Sequence, residues 1–97
     1  MIQMPPMKME IKYTKRFRKQ YQKADKEIRN VFTQALELFL EEPVHPILRN
    51  HPLKEKFTGY RSINVTADWR AIFKQKQSDK RIIITFYLLG THKELYG

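Results

Sequence analysis

The chain has 97 residues, enough for one small domain and too few for a catalytic domain joined to a separate binding domain. Hydrophobic residues make up 41% and aromatic residues 12%, which supplies a core and excludes disorder throughout, even at 30% charged residues. With 19 Lys and Arg against 10 Asp and Glu the formal charge is +9, a field that draws polyanions, so nucleic acid and acidic proteins are the partner classes to consider. The absence of cysteine excludes disulfide staples, thiolate zinc sites and a cysteine nucleophile, and it agrees with a reducing, cytoplasmic setting. No apolar run approaches the roughly 20 residues of a membrane span, and Met1-Ile2-Gln3-Met4-Pro5-Pro6 lacks the regions of a secretion signal. No membrane partner is expected.

Residues 1–6 read as a loose leader, because Pro5-Pro6 favours extended, unpaired backbone. Met7, Met9, Ile11 and Tyr13 then alternate with Lys8, Glu10 and Lys12, the two-residue period of a strand with one buried face. Thr14 is suited to cap a short basic helix over 15–23, with Phe17 and Tyr21 one turn apart. After a second cap at Asp25, the residues Ile28, Val31, Phe32, Ala35, Leu36, Phe39 and Leu40 recur at intervals of three and four, which predicts a long amphipathic helix. Pro43 stops it near Glu42. The proline-rich stretch 43–58 reads as a long loop.

A strand is expected from Gly59 to Val65 and its hairpin partner from Trp69 to Gln75, joined by a turn of Thr66, Ala67 and Asp68. That turn sets Ile63 opposite Ala71 and Arg61 opposite Phe73, gathering apolar residues on one face. The other face then carries Tyr60, Ser62, Asn64, Arg70, Ile72 and Lys74. Gln77-Ser78-Asp79-Lys80 is a polar turn, and the nearly continuous apolar run 81–89 suits a central strand covered on both faces. Gly90 ends that run, and Thr91-His92-Lys93-Glu94 matches a capping box for a terminal helical turn. The sum is a single α+β domain over 1–97, with two helices packed on a mostly antiparallel four-stranded sheet in the order β-α-α-β-β-β.

Chemistry is constrained first by what is missing. There is no glycine-rich phosphate loop, no His cluster at metal spacing and no glycine-flanked serine, so no cofactor and no metal are expected and acid–base work falls to histidine and lysine. Three polar residues sit at the edges of elements: His51 in the proline loop, Asp68 at the hairpin turn and His92 after the last strand. Taken singly each has an ordinary explanation, as a solvated histidine, a turn aspartate bonded to its own backbone, or an exposed residue in a cap. Lys54, Lys56, Arg61, Arg70 and Lys74 are likewise a solvated face unless the net charge recruits them to phosphate, and Tyr96 alone reads as a packing residue.

Taken together, Asn50-His51-Pro52-Leu53, Gly59-Tyr60-Arg61, Val65-Thr66-Ala67-Asp68-Trp69, Ile72-Phe73-Lys74 and Gly90-Thr91-His92-Lys93-Glu94-Leu95-Tyr96-Gly97 resemble, in order and spacing, the YafQ-like branch of the RelE/ParE toxin superfamily. The resemblance implies a RelE-like fold and a cytoplasmic bacterial toxin of a type II toxin–antitoxin system. Such a toxin enters the ribosomal A site beside ribosomal RNA, cuts messenger RNA and is silenced by a cognate acidic antitoxin in a hetero-oligomer. In that family the RNA 2′-hydroxyl attacks the adjacent phosphate without metal, leaving a cyclic phosphate and a 5′-hydroxyl. A base, an acid and positive charge near the phosphorane are then required. The resemblance assigns His51 as the base, His92 as the acid and Asp68 as the hairpin aspartate, with Tyr96 contacting RNA. An imidazole suits both transfers because its ordinary pKa, about 6.5, lies near cellular pH.

The chain departs from that pattern at three positions. Many relatives have aspartate and histidine where Ser62 and Asn64 stand, and arginine where Leu88 stands. Asn64 retains hydrogen-bonding capacity toward a phosphate or ribose, and Arg61, Arg70, Lys54 or Lys56 can supply charge, with weaker turnover as the expected consequence. A ParE-like toxin that acts on another macromolecule without cutting RNA, and a basic RNA-binding domain without toxicity, are the competing readings.

Overall fold

The computed structural model describes residues 8–97, so the expected leader and the Met7 start of the first strand lie outside the described residues. The elements run β1 (Lys8–Tyr13), α1 (Lys15–Lys23), α2 (Lys26–Glu41), β2 (His51–Pro52), β3 (Arg61–Asn64), β4 (Trp69–Ser78), β5 (Arg81–Thr91) and α3 (His92–Tyr96). Two 3-10 turns, Pro46–Leu48 and Glu55–Phe57, shape the segment between α2 and β3. Both helices of the first half begin where the caps predict. Thr14 Oγ1 accepts the N–H of Phe17 at 3.1 Å, whereas Asp25 sits at the start of α2 without a side-chain cap bond.

The sheet order is β1-β5-β4-β3-β2, with β1 parallel to β5 and every other pair antiparallel. Among the described residues the expected four strands are five. The extra strand is the two-residue pairing of His51 with Ser62 and Pro52 with Arg61, inside what the prolines suggest is a loop. A proline at a sheet edge costs no ladder bond when its missing N–H faces outward, which is why the pairing survives it. The hairpin register is the expected one, Arg61 opposite Phe73 and Ile63 opposite Ala71. At the next hairpin β4 runs further than the polar residues suggest, to Ser78, and the turn shrinks to Asp79 and Lys80 with Asp79 at φ +46°. β5 starts at Arg81 as expected but continues through Gly90, expected to end it, to Thr91.

α1 and α2 cover one face of the sheet through an aromatic core. Phe17, Phe39, Phe73 and Phe86 are fully buried and Phe32 nearly so. Ring centroids in the pairs Phe17–Phe86, Phe32–Phe86, Phe39–Phe73 and Phe73–Phe86 lie 5.3–5.6 Å apart, the spacing of favourable tilted and edge-on pairs. Leu40, on the predicted apolar stripe, is instead exposed at the end of α2.

A bulge between the pairs Ile72–Leu88 and Phe73–Phe86 leaves Tyr87 unopposed and resets the alternation of β5, so that Leu89 joins the core with Ile84 and Phe86. The second sheet face is covered too, as the apolar run 81–89 predicts for β5, although the polar residues on the outer face of the β3–β4 hairpin suggest otherwise. Ser62 and Ile72 are fully buried, and Phe57 of the second 3-10 turn packs on Tyr96 of α3 with ring centroids 5.7 Å apart. Gly90 makes room for this layer: a Cβ at that position would meet Leu95 Cδ2 at 3.2 Å.

Candidate active site

The loop after α2 is pinned by its one fully buried residue, Leu48. Arg49 then turns the chain in a left-handed conformation, φ +48°, uncommon for a residue with a side chain. Asn50 fastens the next stretch of chain through both ends of its amide, donating to the Pro43 carbonyl at 3.0 Å and accepting from Arg61 Nε at 2.8 Å. His51 is thereby laid beside Ser62 on the edge strand. Its Nδ1 lies 2.7 Å from the Arg49 carbonyl oxygen. A carbonyl only accepts, so Nδ1 carries a hydrogen, and in the neutral ring that tautomer leaves the lone pair on Nε2, where a general base needs it.

His92 arrives from the other end of the sheet. The pairing of Trp69 with Thr91 brings the Thr66–Asp68 turn beside the start of α3, and the His92 N–H donates to the Asp68 carbonyl at 2.9 Å. The predicted capping box is complete: Thr91 Oγ1 accepts the Glu94 N–H at 3.1 Å, and Glu94 Oε1 accepts the Thr91 N–H at 2.8 Å. The Thr91 backbone N–H, and after it the Thr91 hydroxyl, hold the Glu94 carboxyl below its ordinary range. One turn on, the Tyr96 ring packs against the His92 imidazole with centroids 4.7 Å apart.

The two histidines meet in one open groove of about 600 Å³, lined by Arg49, Asn50, His51, Leu53, Asn64, Arg70, His92 and Tyr96. Of the residues expected from sequence, His51, Asn64, Arg70, His92 and Tyr96 are brought together. The others sit around it. Asp68 acts on the groove through its backbone carbonyl, with its side chain exposed at the turn. Arg61 is engaged with Asn50, Lys54 is exposed ahead of the second 3-10 turn, and Lys56 belongs to a separate hollow that Leu88 also lines. Arg70 shares Nη1 among the carbonyls of Thr66, Ala67 and Trp69 at 2.9–3.3 Å, tying the turn while its guanidinium lines the groove.

Arg49, Asn50 and Leu53 are the lining residues to which the sequence pattern assigns no role. Asn50 lies within the Asn50-His51-Pro52-Leu53 motif, but its neighbour Arg49 has no local signature, since only the left-handed backbone aims the loop. The close carboxylate contacts among the described residues, Glu42 with His45 and Glu10 with Arg81, are both away from the groove, so Arg49 and Arg70 line it without a carboxylate partner there. Among the described residues no three His, Asp or Glu side chains gather as metal ligands would, and no helix is long and apolar enough to cross a membrane. The groove thus sets two imidazoles, two arginines and one aromatic ring on a common surface.

A family model described as the bacterial toxin of type II toxin–antitoxin systems, YafQ, matches residues 9–97. The mRNA interferase toxins YafQ of Escherichia coli strains B/BL21-DE3 and K12 are each 36% identical to the chain over 55 residues, covering 57% of it and 55% of theirs. The matched stretch thus spans about half the length of those relatives. The crystal structure of YafQ from E. coli BL21(DE3) aligns with a TM-score of 0.74 at 29% identity, over 93% of this chain and 100% of that one. YafQ in the E. coli DinJ-YafQ complex aligns at 28% identity and 0.67, again over 93% and 100%. A YoeB/ParE toxin from Agrobacterium tumefaciens shares the fold at 20% identity, with a TM-score of 0.71 over 87% and 99%.

Proposed function

The chain belongs to the YafQ family of bacterial type II toxin–antitoxin toxins, and from that membership we propose that it is a ribosome-dependent endoribonuclease that cuts messenger RNA without metal. The observation that carries this reading is the meeting of His51 and His92, 41 positions apart in the chain, on one groove with Arg49 and Arg70. His51 Nε2 takes the proton of the 2′-hydroxyl, whose oxygen bonds to the adjacent phosphorus. The bond from phosphorus to the 5′-oxygen breaks, and protonated His92 gives its proton to that oxygen, leaving a cyclic phosphate and a 5′-hydroxyl. Arg49 and Arg70 offset the charge that grows on the phosphoryl oxygens. Asn64 hydrogen-bonds a phosphate or ribose, and Tyr96 offers a ring to a base.

Two titratable side chains of the same type suffice for this cycle, because each finishes in the state the other began in. Such groups typically contribute about 10²–10⁴-fold each. His92→Gln, or His51→Gln, is expected to cut translated messages at least about 100-fold more slowly while the protein stays folded. The measurement is mapping of 5′-hydroxyl ends after induction without antitoxin. Full cutting by both variants removes the imidazoles from the mechanism. Arrest of growth with intact messages and altered DNA supercoiling would favour the ParE-like alternative instead.

The proposed protein partner is an acidic antitoxin. The exposed apolar run Leu40, Val44 and Ile47, beside the cationic Arg49, suits a segment that mixes apolar and acidic side chains. E. coli YafQ is crystallised with DinJ, which is consistent with such a hetero-oligomer for this chain.

A further inference from the structure

On the far side of the Phe57–Tyr96 ring contact from the groove lie two hollows, of about 490 and 300 Å³. Both are lined by Arg16, Lys56, Phe57 and Leu88, so they lie side by side along α1, the second 3-10 turn and β5, and together they are termed the trough. Its charge is one-sided. Arg16, Lys23 and Lys56 line it, and its one lining carboxylate, Glu94, is already committed to the Thr91 capping box. Its aromatic content is equally specific. Tyr60 and Tyr87 line one end with their rings 5.1 Å apart, and Lys74 Nζ stands 4.5 Å from the Tyr60 centroid and 5.9 Å from that of Tyr87. Lys56 Nζ stands over Phe57 at 5.3 Å.

A channel that interleaves cations with rings suits single-stranded nucleic acid, whose phosphates meet the cations while successive bases stack on the rings. Stacking of a base exceeds an exposed cation–ring contact, so a base displaces the ammonium of Lys74 from the Tyr60 face and releases it to a phosphate. We propose that this trough is a second subsite for single-stranded RNA, taking the stretch of a strand that continues beyond the His51–His92 groove. The Phe57–Tyr96 contact, centroids 5.7 Å apart, is the wall the two sites share. The proposal rests on the nuclease reading only in naming the strand in the trough as the one in the groove.

The test uses the full chain carrying His92→Gln, so that RNA is bound and not cut, and fluorescently labelled oligouridines read by anisotropy. Arg16→Gln with Lys74→Gln removes two exposed cations without touching the groove. For a decanucleotide, affinity is expected to fall about tenfold and the slope of log K against log salt to flatten by about 1.4, roughly 0.7 per lost phosphate contact. For a trinucleotide, which fits the groove alone, the change is expected to stay within about twofold. Equal losses for both lengths, or an unchanged slope, overturn the proposal and leave a solvated basic face. A loss of affinity for an acidic antitoxin peptide with RNA binding intact overturns it in favour of a protein occupant. Failure of the parent chain to cut translated message would defeat the nuclease reading and leave this binding comparison standing.

Discussion

Asn50 is the fastening on which the placement of His51 depends, and its removal is the sharpest test of the site's construction. Asn50→Ala deletes a hydrogen bond from the Arg61 guanidinium at 2.8 Å and one to the Pro43 carbonyl at 3.0 Å. A bond to a charged donor contributes about 1.5–3 kcal/mol and a neutral one about 1 kcal/mol. Asn50 and Arg61 are both half-buried, so water recovers part of that sum and the expected loss of stability is about 1–2 kcal/mol. Arg61→Met keeps the aliphatic stem and removes the donor. In a double-mutant cycle read by urea unfolding, Asn50→Ala and Arg61→Met should couple by about 1 kcal/mol. Additivity within about 0.3 kcal/mol would refute the idea that this pair ties the loop to β3. If His51 is the base proposed above, RNA cleavage under conditions where the Asn50→Ala protein is fully folded should fall further than stability does, because misplacing such a group by about 1 Å costs on the order of 100-fold.

Thr91→Ala removes the helix cap under His92 and Tyr96 and is expected to loosen α3 by about 1 kcal/mol, seen as faster amide exchange at 92–96; unchanged exchange would show that Leu95 packing alone holds the helix. The Glu94 carboxyl has its pKa lowered by the Thr91 N–H and hydroxyl, so its support of the cap is present above the ordinary glutamate range and is lost as pH falls through the lowered value. The Thr91 amide shift followed by NMR should therefore show an acid step in the parent and none in Glu94→Gln, and identical steps would refute the link. Binding of an acidic antitoxin should weaken steadily with added salt, and a dissociation constant indifferent to salt would assign that contact to Leu40, Val44 and Ile47 instead.

The parts of the fold written in periodicity and capping were readable from the chain. The three-four spacing of α2, the register of Ile63 on Ala71 and the Thr91–Glu94 box all act over short range, and each stands as expected. The features that escaped depend on neighbours distant in sequence. The edge strand of His51 and Pro52 is too short for any alternation to reveal, and it exists because Ser62 and Arg61 offer it a ladder. The outer face of the hairpin looks polar on paper, yet Ile72 and Ser62 are fully buried, which depends on chain distant in sequence. Within the site, both histidines were identifiable as candidates by type and position, but their shared groove is a product of the sheet, which sets the loop and the last strand at the same end. Arg49 could not be found from residue pattern, since its role comes from a left-handed backbone that arginine seldom adopts.

Ser62 shows how far position in a motif and position in a structure can diverge. The resemblance sets an aspartate there in many relatives, which invites the thought that restoring it would restore a proton-handling group. Here the side chain is fully buried and its Oγ has no hydrogen-bond partner among the described residues, although the backbone pairs with that of His51. A buried hydroxyl left unpaired costs about 1–3 kcal/mol, while deleting one oxygen leaves little void. Ser62→Ala is therefore expected to be neutral or to stabilise the protein by up to about 1 kcal/mol in urea unfolding, with cleavage unchanged. Ser62→Asp places a carboxylate where nothing compensates it and is expected to lower stability by about 3 kcal/mol without accelerating cleavage. A Ser62→Asp protein as stable as the parent and faster on RNA would mean that this carboxylate reaches the groove beside His51. In that case the buried layer under α3 opens when RNA binds, and the catalytic group would be larger than the two imidazoles.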